Sequence, residues 1–216
     1  GLQVVLFNMD MPVWVEPHRG YLSDPDLRGQ FQRAFDAALE VAVRLDAAKM
    51  WVPAGACLDD VPDSAQQDCA IENLIYAAPL AQEANVVLNV EVLDPADIPN
   101  YWLSSFPQAV EIVKAVDHPN VKIQYDSFQL HSLEGDLVQT LLESIDVIGH
   151  IQFGDVPGRT EPGCGMLDFA LLDAAVEQSG YSGHVGLEYK PVSRGAATFA
   201  WVPENRRFRA PRSQEG

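Results

Sequence analysis

Basic residues are scarce in this chain. Its 216 residues include 14 lysines and arginines against 31 aspartates and glutamates, a formal net charge of −17. That balance argues against nucleic acid and anionic membrane as partners. Cysteine is scarcer still: Cys57, Cys69 and Cys164, with no CxxC spacing. An odd number without a leader-like opening fits free thiols in a reducing, cytoplasmic setting. Cys164 has no histidine close in sequence to activate it as a nucleophile. No apolar run reaches membrane-spanning length, and the opening GLQVVLFN reads as a strand rather than a signal peptide. Internal repeats and interdomain linkers are also absent.

What is present is an alternation of strand and helix. Apolar, β-branched runs predict strands at Leu2–Asn8, Lys49–Pro53, Val86–Val92, Val121–Asp126, Asp146–Phe153 and Gly183–Tyr189. Helical spacing predicts helices between them. The first is capped by Asp24 or Asp26 and runs to about Ala47, with Phe31, Phe35, Ala38, Leu39, Ala42 and Leu45 on one face. Others cover Ser64–Glu83, Phe106–Val116, Glu134–Ile145 and Asp168–Gln178, and a further one begins near Ala196. Such a pattern means an α/β domain with a parallel sheet and crossover helices. We expect one domain over residues 1–201. A disordered tail over 202–216 follows, in a basic stretch that starts at Lys190.

The loop after the fifth strand is long. Gly149–Gly165 reads GHIQFGDVPGRTEPGCG, a buried strand followed by Asp155, Arg159 and Glu161 among glycines and prolines. Parallel α/β proteins build sites where strands deliver polar groups at their C-terminal ends. Four strands here end in such groups: Glu91, Asp126, Gln152 (or His150) and Glu188. All strand C-termini of a parallel sheet share one face, so these four can converge. Three carboxylates with a carbonyl or imidazole suit a divalent cation such as Mg²⁺, Mn²⁺ or Co²⁺, which offsets their mutual repulsion. A cation held by two adjacent oxygens of a hydroxy-carbonyl compound acidifies the C–H between them, and two glutamates, Glu91 and Glu188, can remove and return that proton. Arg159 is placed to hold a substrate carboxylate.

Several longer stretches resemble the hydroxypyruvate isomerase family of the xylose-isomerase-like barrels. They are Gln124–Asp126 (QYD), Glu134–Leu137 (EGDL), GHIQ with DVPGR and EPG over 149–163, and Gly186–Pro191 (GLEYKP). NLIYAAPLAQE before Glu91 and DIPNYWL after it also match. The resemblance runs to about Trp201. It implies a (β/α)₈ barrel, a divalent metal, and interconversion of hydroxypyruvate and tartronate semialdehyde or of related keto-aldose substrates. It places Glu91 and Glu188 on the catalytic glutamates and Asp126 and Gln152 on the other metal ligands. Leu2–Asn8 matches the third strand of that barrel, so the expected fold is an incomplete TIM-type barrel of six strands lacking the first two βα units. An open side of that kind predicts a homodimer that covers it. The substrate shell departs from the family: Gln129 stands where a histidine is usual, and so does Trp51. Pro17-His18-Arg19-Gly20, Glu91-Val92-Leu93-Asp94 and Gly163-Cys164-Gly165-Met166 also differ from its usual motifs. Arg159, His150, Gln129 and Trp51 are the expected substrate contacts. The readings are a hydroxypyruvate-isomerase-like enzyme, an epimerase or isomerase of a larger keto sugar, and a non-catalytic metal-binding scaffold.

Overall fold

The computed structural model describes residues 2–10 and 19–202. The predicted tail from 203 onward, and Trp14, Glu16 and His18 of the first loop, lie outside the described residues.

Six parallel strands form one sheet in the order of the chain. They are β1 (Leu6–Asn8), β2 (Lys49–Trp51), β3 (Val87–Glu91), β4 (Val121–Asp126), β5 (Ile148–Phe153) and β6 (Val185–Leu187). The helices between them are α1 (Arg28–Leu45), α2 (Asp63–Glu83), α3 (Phe106–Val116), α4 (Ser127–Leu130), α5 (Leu137–Ser144) and α6 (Phe169–Gln178). The architecture is the partial α/β barrel expected from the sequence, with β1 and β6 at its two edges.

Local chemistry sets most of the boundaries. The Ser105 side chain accepts from the Gln108 amide, and Pro107 fills an early position of α3. Asp136 and Asp168 cap α5 and α6 in the same way. Asp24 caps a 3₁₀ turn, Pro25–Leu27, rather than α1 itself, so α1 starts later than predicted. Asp46 ends it in the left-handed conformation. The outer strands are shorter than their hydrophobic runs. β1 and β6 pair over only three residues each, and among the described residues each has a neighbour on one side. The turn near Ala196 is 3₁₀, spanning Gly195–Phe199.

Alternation along the strands divides the sheet into two faces. Met50, Leu88, Val90, Ile123, Tyr125, Ile151 and Phe153 are buried in one core with the apolar faces of the helices, including Phe31 and Phe35 of α1. The interleaved residues are polar: Asn89 and Glu91, Gln124 and Asp126, His150 and Gln152, all buried. Register aligns Glu91 with Gln124, Gln124 with His150, and Asp126 with Gln152. A barrel interior lined with buried polar groups is costly unless it does chemistry or is fully paired.

Candidate active site

Glu91 is the last residue of β3 and Asp126 the last of β4, while Glu188 follows β6 by one position. Gln152 lies on β5 beside Asp126. Asp126 and Glu188 meet at the guanidinium of Arg159, which comes from the β5–α6 loop. Arg159 Nη2 is 2.6 Å from Asp126 Oδ2 and 2.9 Å from Glu188 Oε1. Gln152 Nε2 donates to Glu188 Oε2. The Asp126 side chain is fully buried, Arg159 is 18% exposed and Glu188 48%. Glu188 is thus the carboxylate that a molecule entering from solvent meets.

Two features hold the guanidinium in place. The Phe128 ring lies 5.2 Å from it, a cation–π distance. Gly154 lets the chain come close: a β-carbon there would sit 2.8 Å from the Glu188 carbonyl and 3.2 Å from Arg159 Cγ. The loop is itself anchored by a second buried acid. Asp155, 0% exposed, accepts four backbone N–H bonds, from Val156, Gly163, Gly165 and Leu167. A bridge between Asp155 and Thr160 closes the turn that carries Arg159.

Burial first, then the Asp126 and Glu188 carboxylates, push the Glu91 carboxyl well above its usual range, against a smaller pull from Gln124 and Arg159. Burial also raises Asp126; Arg159 draws it back, and Glu188 pushes it further up. Glu91 Oε1, Gln124 Oε1 and Gln152 Oε1 are buried oxygens with no hydrogen-bond partner. Buried acceptors of this kind are rare unless something binds them. Among the described residues, however, no group of three or more His, Cys, Asp or Glu is disposed to hold a metal ion. Arg159 lies between two of the expected ligands, Asp126 and Glu188, and Gln152, another of them, turns its nitrogen to Glu188.

A cavity of about 500 Å³ opens over these groups. It is lined by Glu91, Gln124, Gln152, Arg159 and Glu188, together with Asn8, Trp51, Leu93, Ile98 and Gln129. Trp51 therefore faces the cavity as the sequence suggested. Gln129 does too, but both ends of its amide are engaged: Oε1 accepts from the Asp94 amide at 2.8 Å and Nε2 donates to Asp97 at 3.1 Å. It braces the β3–α3 loop behind Leu93 and Ile98. His150 does not line the cavity. It sits two residues earlier on β5 than Gln152, with its Nδ1 3.5 Å from Lys49 Nζ. Lys49 also donates to the Gly149 carbonyl and to Tyr181. Gln124 was not singled out in the sequence, although its place two residues before Asp126 puts it on the same face. Phe128 gave no signal at all, since its role depends on an arginine 31 positions away.

Known proteins resemble the chain over most of its length. The model of the xylose isomerase-like TIM barrel family matches residues 1–210. A hydroxypyruvate isomerase of Escherichia coli is 32% identical over 201 residues, 93% of this chain and 78% of the relative. A 2-oxo-tetronate isomerase of Cupriavidus necator is 32% identical over 202 residues, 94% and 78% of the two chains. A crystal structure described as an AP endonuclease, family 2, from Brucella melitensis superposes with a TM-score of 0.88 at 32% identity, covering 93% of this chain and 77% of that one. The fold also matches, at 19% identity and a TM-score of 0.69, a structure described as the IOLI protein with a binding zinc atom, over 87% of this chain and 67% of that one.

Proposed function

The chain belongs to the xylose isomerase-like TIM barrel family, and from that premise we propose that it is an isomerase of small hydroxy-keto acids of the hydroxypyruvate type. The observation that carries this reading is the pairing of two glutamates of unlike environment. Glu91 is buried, and burial with the neighbouring carboxylates raises its carboxyl above the usual range. Glu188 is half exposed and ion-paired to Arg159. Two carboxyls set apart in this way are suited to give and to take a proton. Glu188 takes the proton from the carbon that bears the hydroxyl. Glu91 supplies one to the neighbouring carbonyl carbon. A hydroxyl proton passes between the adjacent oxygens, and the carbonyl moves by one carbon. Exchange with solvent then restores both glutamates. Arg159 Nε, buried with no partner, is one donor the guanidinium keeps for a substrate carboxylate.

The unpaired Glu91 and Gln152 oxygens and the carboxylates of Asp126 and Glu188 fit a divalent cation of the Mg²⁺, Mn²⁺ or Co²⁺ type in donor chemistry. Bound by those four residues, it would supply Lewis acidity to the two oxygens of the substrate.

The cavity favours a second reading of the substrate. At about 500 Å³ it has room beyond a three-carbon acid, which fits a four-carbon 2-keto acid or a keto sugar. One experiment tests the proposal. Purified protein with Mn²⁺ or Mg²⁺ is placed in D₂O with hydroxypyruvate, a 2-oxo-tetronate or a keto sugar, and NMR follows the carbon-bound protons. Deuterium incorporation that disappears in Glu188→Gln is the expected outcome, and the preferred substrate identifies itself by rate. No incorporation with any of the three refutes the isomerase reading. A melting temperature indifferent to the cation and to EDTA refutes the metal.

A further inference from the structure

Glu188 is poorly held by packing. From Glu188 to Arg194 no residue is buried, and β6 ends at Leu187. Yet the proposed chemistry requires its carboxylate to stay beside Arg159 and over the substrate. The backbone supplies what burial does not. The pairing of β5 with β6 continues past the strand end as a series of rungs against the β5–α6 loop. The Glu188 amide donates to the Phe153 carbonyl at 3.1 Å, and the Lys190 amide to the Arg159 carbonyl at 2.6 Å. The last rung is a side chain. Glu161 accepts from the Val192 amide at 2.6 Å through Oε2 and from the Ser193 amide at 2.7 Å through Oε1.

We infer that Glu161 is a positioning residue for Glu188: it fastens the segment after β6 to the loop that carries Arg159, and so fixes the two members of the Arg159–Glu188 ion pair relative to each other. The inference rests on the function proposed for Glu188. Glu161 is suited to the task. It is 3% exposed, both of its oxygens are engaged, and its own carbonyl is bonded to the Cys164 amide. Asp155 fixes the other end of the same turn. The two backbone bonds hold the Glu161 carboxyl down to about 2, against burial, which raises it. The clamp therefore keeps its charge through the whole range in which an enzyme works. A carboxylate accepting two amide bonds is also stronger and stiffer than a neutral side chain could be.

The test compares wild type with Glu161→Ala and Glu161→Gln. Misplacing a reacting group by about 1 Å can cost about 10²-fold in rate. Turnover of the substrate found above should fall by about that factor in Glu161→Ala, with KM changed less than about threefold, because ground-state binding is left in place. Glu161→Gln, which keeps one acceptor, should fall between. Hydrogen exchange read on the same proteins should show the amides of Glu188, Lys190, Val192 and Ser193 losing protection while β4 and β5 keep theirs. A kcat per folded molecule equal to wild type overturns the inference, even if the melting temperature drops. Unchanged protection at Glu188 overturns it as well. Should wild type turn over none of the substrates, the functional reading falls, and exchange at the Glu188 amide alone upholds or overturns the positioning role.

Discussion

Replacing Asp155 with asparagine changes one atom and should cost a large part of the stability of this domain. The carboxylate is completely buried. Its Oδ1 accepts from Val156 at 2.8 Å and Leu167 at 3.1 Å, and its Oδ2 from Gly163 at 2.9 Å and Gly165 at 2.8 Å. Asparagine retains one oxygen. Its amide nitrogen, a donor, then faces two N–H donors. Flipping the amide only changes which pair is stranded. Each buried donor left without an acceptor costs about 1–3 kcal/mol, so the substitution should cost about 2–6 kcal/mol. In a chain of this length that lowers the melting temperature by roughly 5–20 °C. Urea unfolding followed by circular dichroism reads the effect directly, with the midpoint falling and the slope unchanged. Asp155→Ala, which strands all four donors, should be worse. If Asp155→Asn unfolds within about 0.5 kcal/mol of wild type, the loop is not built on this carboxylate and the account of how Arg159 is held fails with it.

Two further expectations concern pH and assembly. Burial, with smaller contributions from Lys49 and His184, lowers the His150 imidazole from 6.5 to about 4. Between those values the unfolded chain takes up a proton that the folded chain refuses, so stability contributed there is present above about pH 6.5 and is lost as pH falls toward 4. The difference is about 3 kcal/mol. Carboxyls raised by burial, Glu91 and Asp126, act in the opposite sense over part of this range. The measurement is therefore the difference between wild type and His150→Gln, which should narrow steadily from pH 7 to 4; a constant difference would contradict the assignment. The exposed sides of β1 and β6 support the proposal that a second copy of the chain lies against them. Light scattering should give a dimer mass at micromolar concentration, and a monomer throughout would exclude it.

The parts of the molecule legible in the sequence were those set by local rules. α3 and β4 were read to the residue. Ser105 and Pro107 mark the start of the one, and the other is an unbroken run ending in a charge. Strand-end counting also placed Glu91, Asp126, Gln152 and Glu188 on one face. α4 was missed, because four residues are too few to show a helical period, and only its cap, Asp126, announced it. What Gln129 and Arg159 do was hidden for a different reason. Their partners lie more than 25 residues away, at Asp94 and Asp97 in one case and at Asp126 and Glu188 in the other. A glutamine is an open hand until its amide is occupied, and nothing in the order of residues says that it is. His150 shows the same limit along a single strand. It shares a face with Gln152 but lies a layer deeper, beside a lysine that begins a strand 101 positions earlier.

Asp126 ends β4 and at the same time starts α4, with no residues between them. Its Oδ1 accepts from the Phe128 amide while its Oδ2 meets Arg159. One carboxyl group therefore both pins the scaffold and holds Arg159, which lines the reaction chamber. Its torsion angle is dictated by the backbone, and the ring of Phe128 and the amide of Gln129 are indexed from the same turn. Any attempt to redirect this protein toward a new substrate by altering position 126 would disturb four things together. Trp51, Leu93 and Ile98 line the same chamber without bonding to Asp126 or Arg159, so selectivity can drift there with less disturbance of that carboxylate.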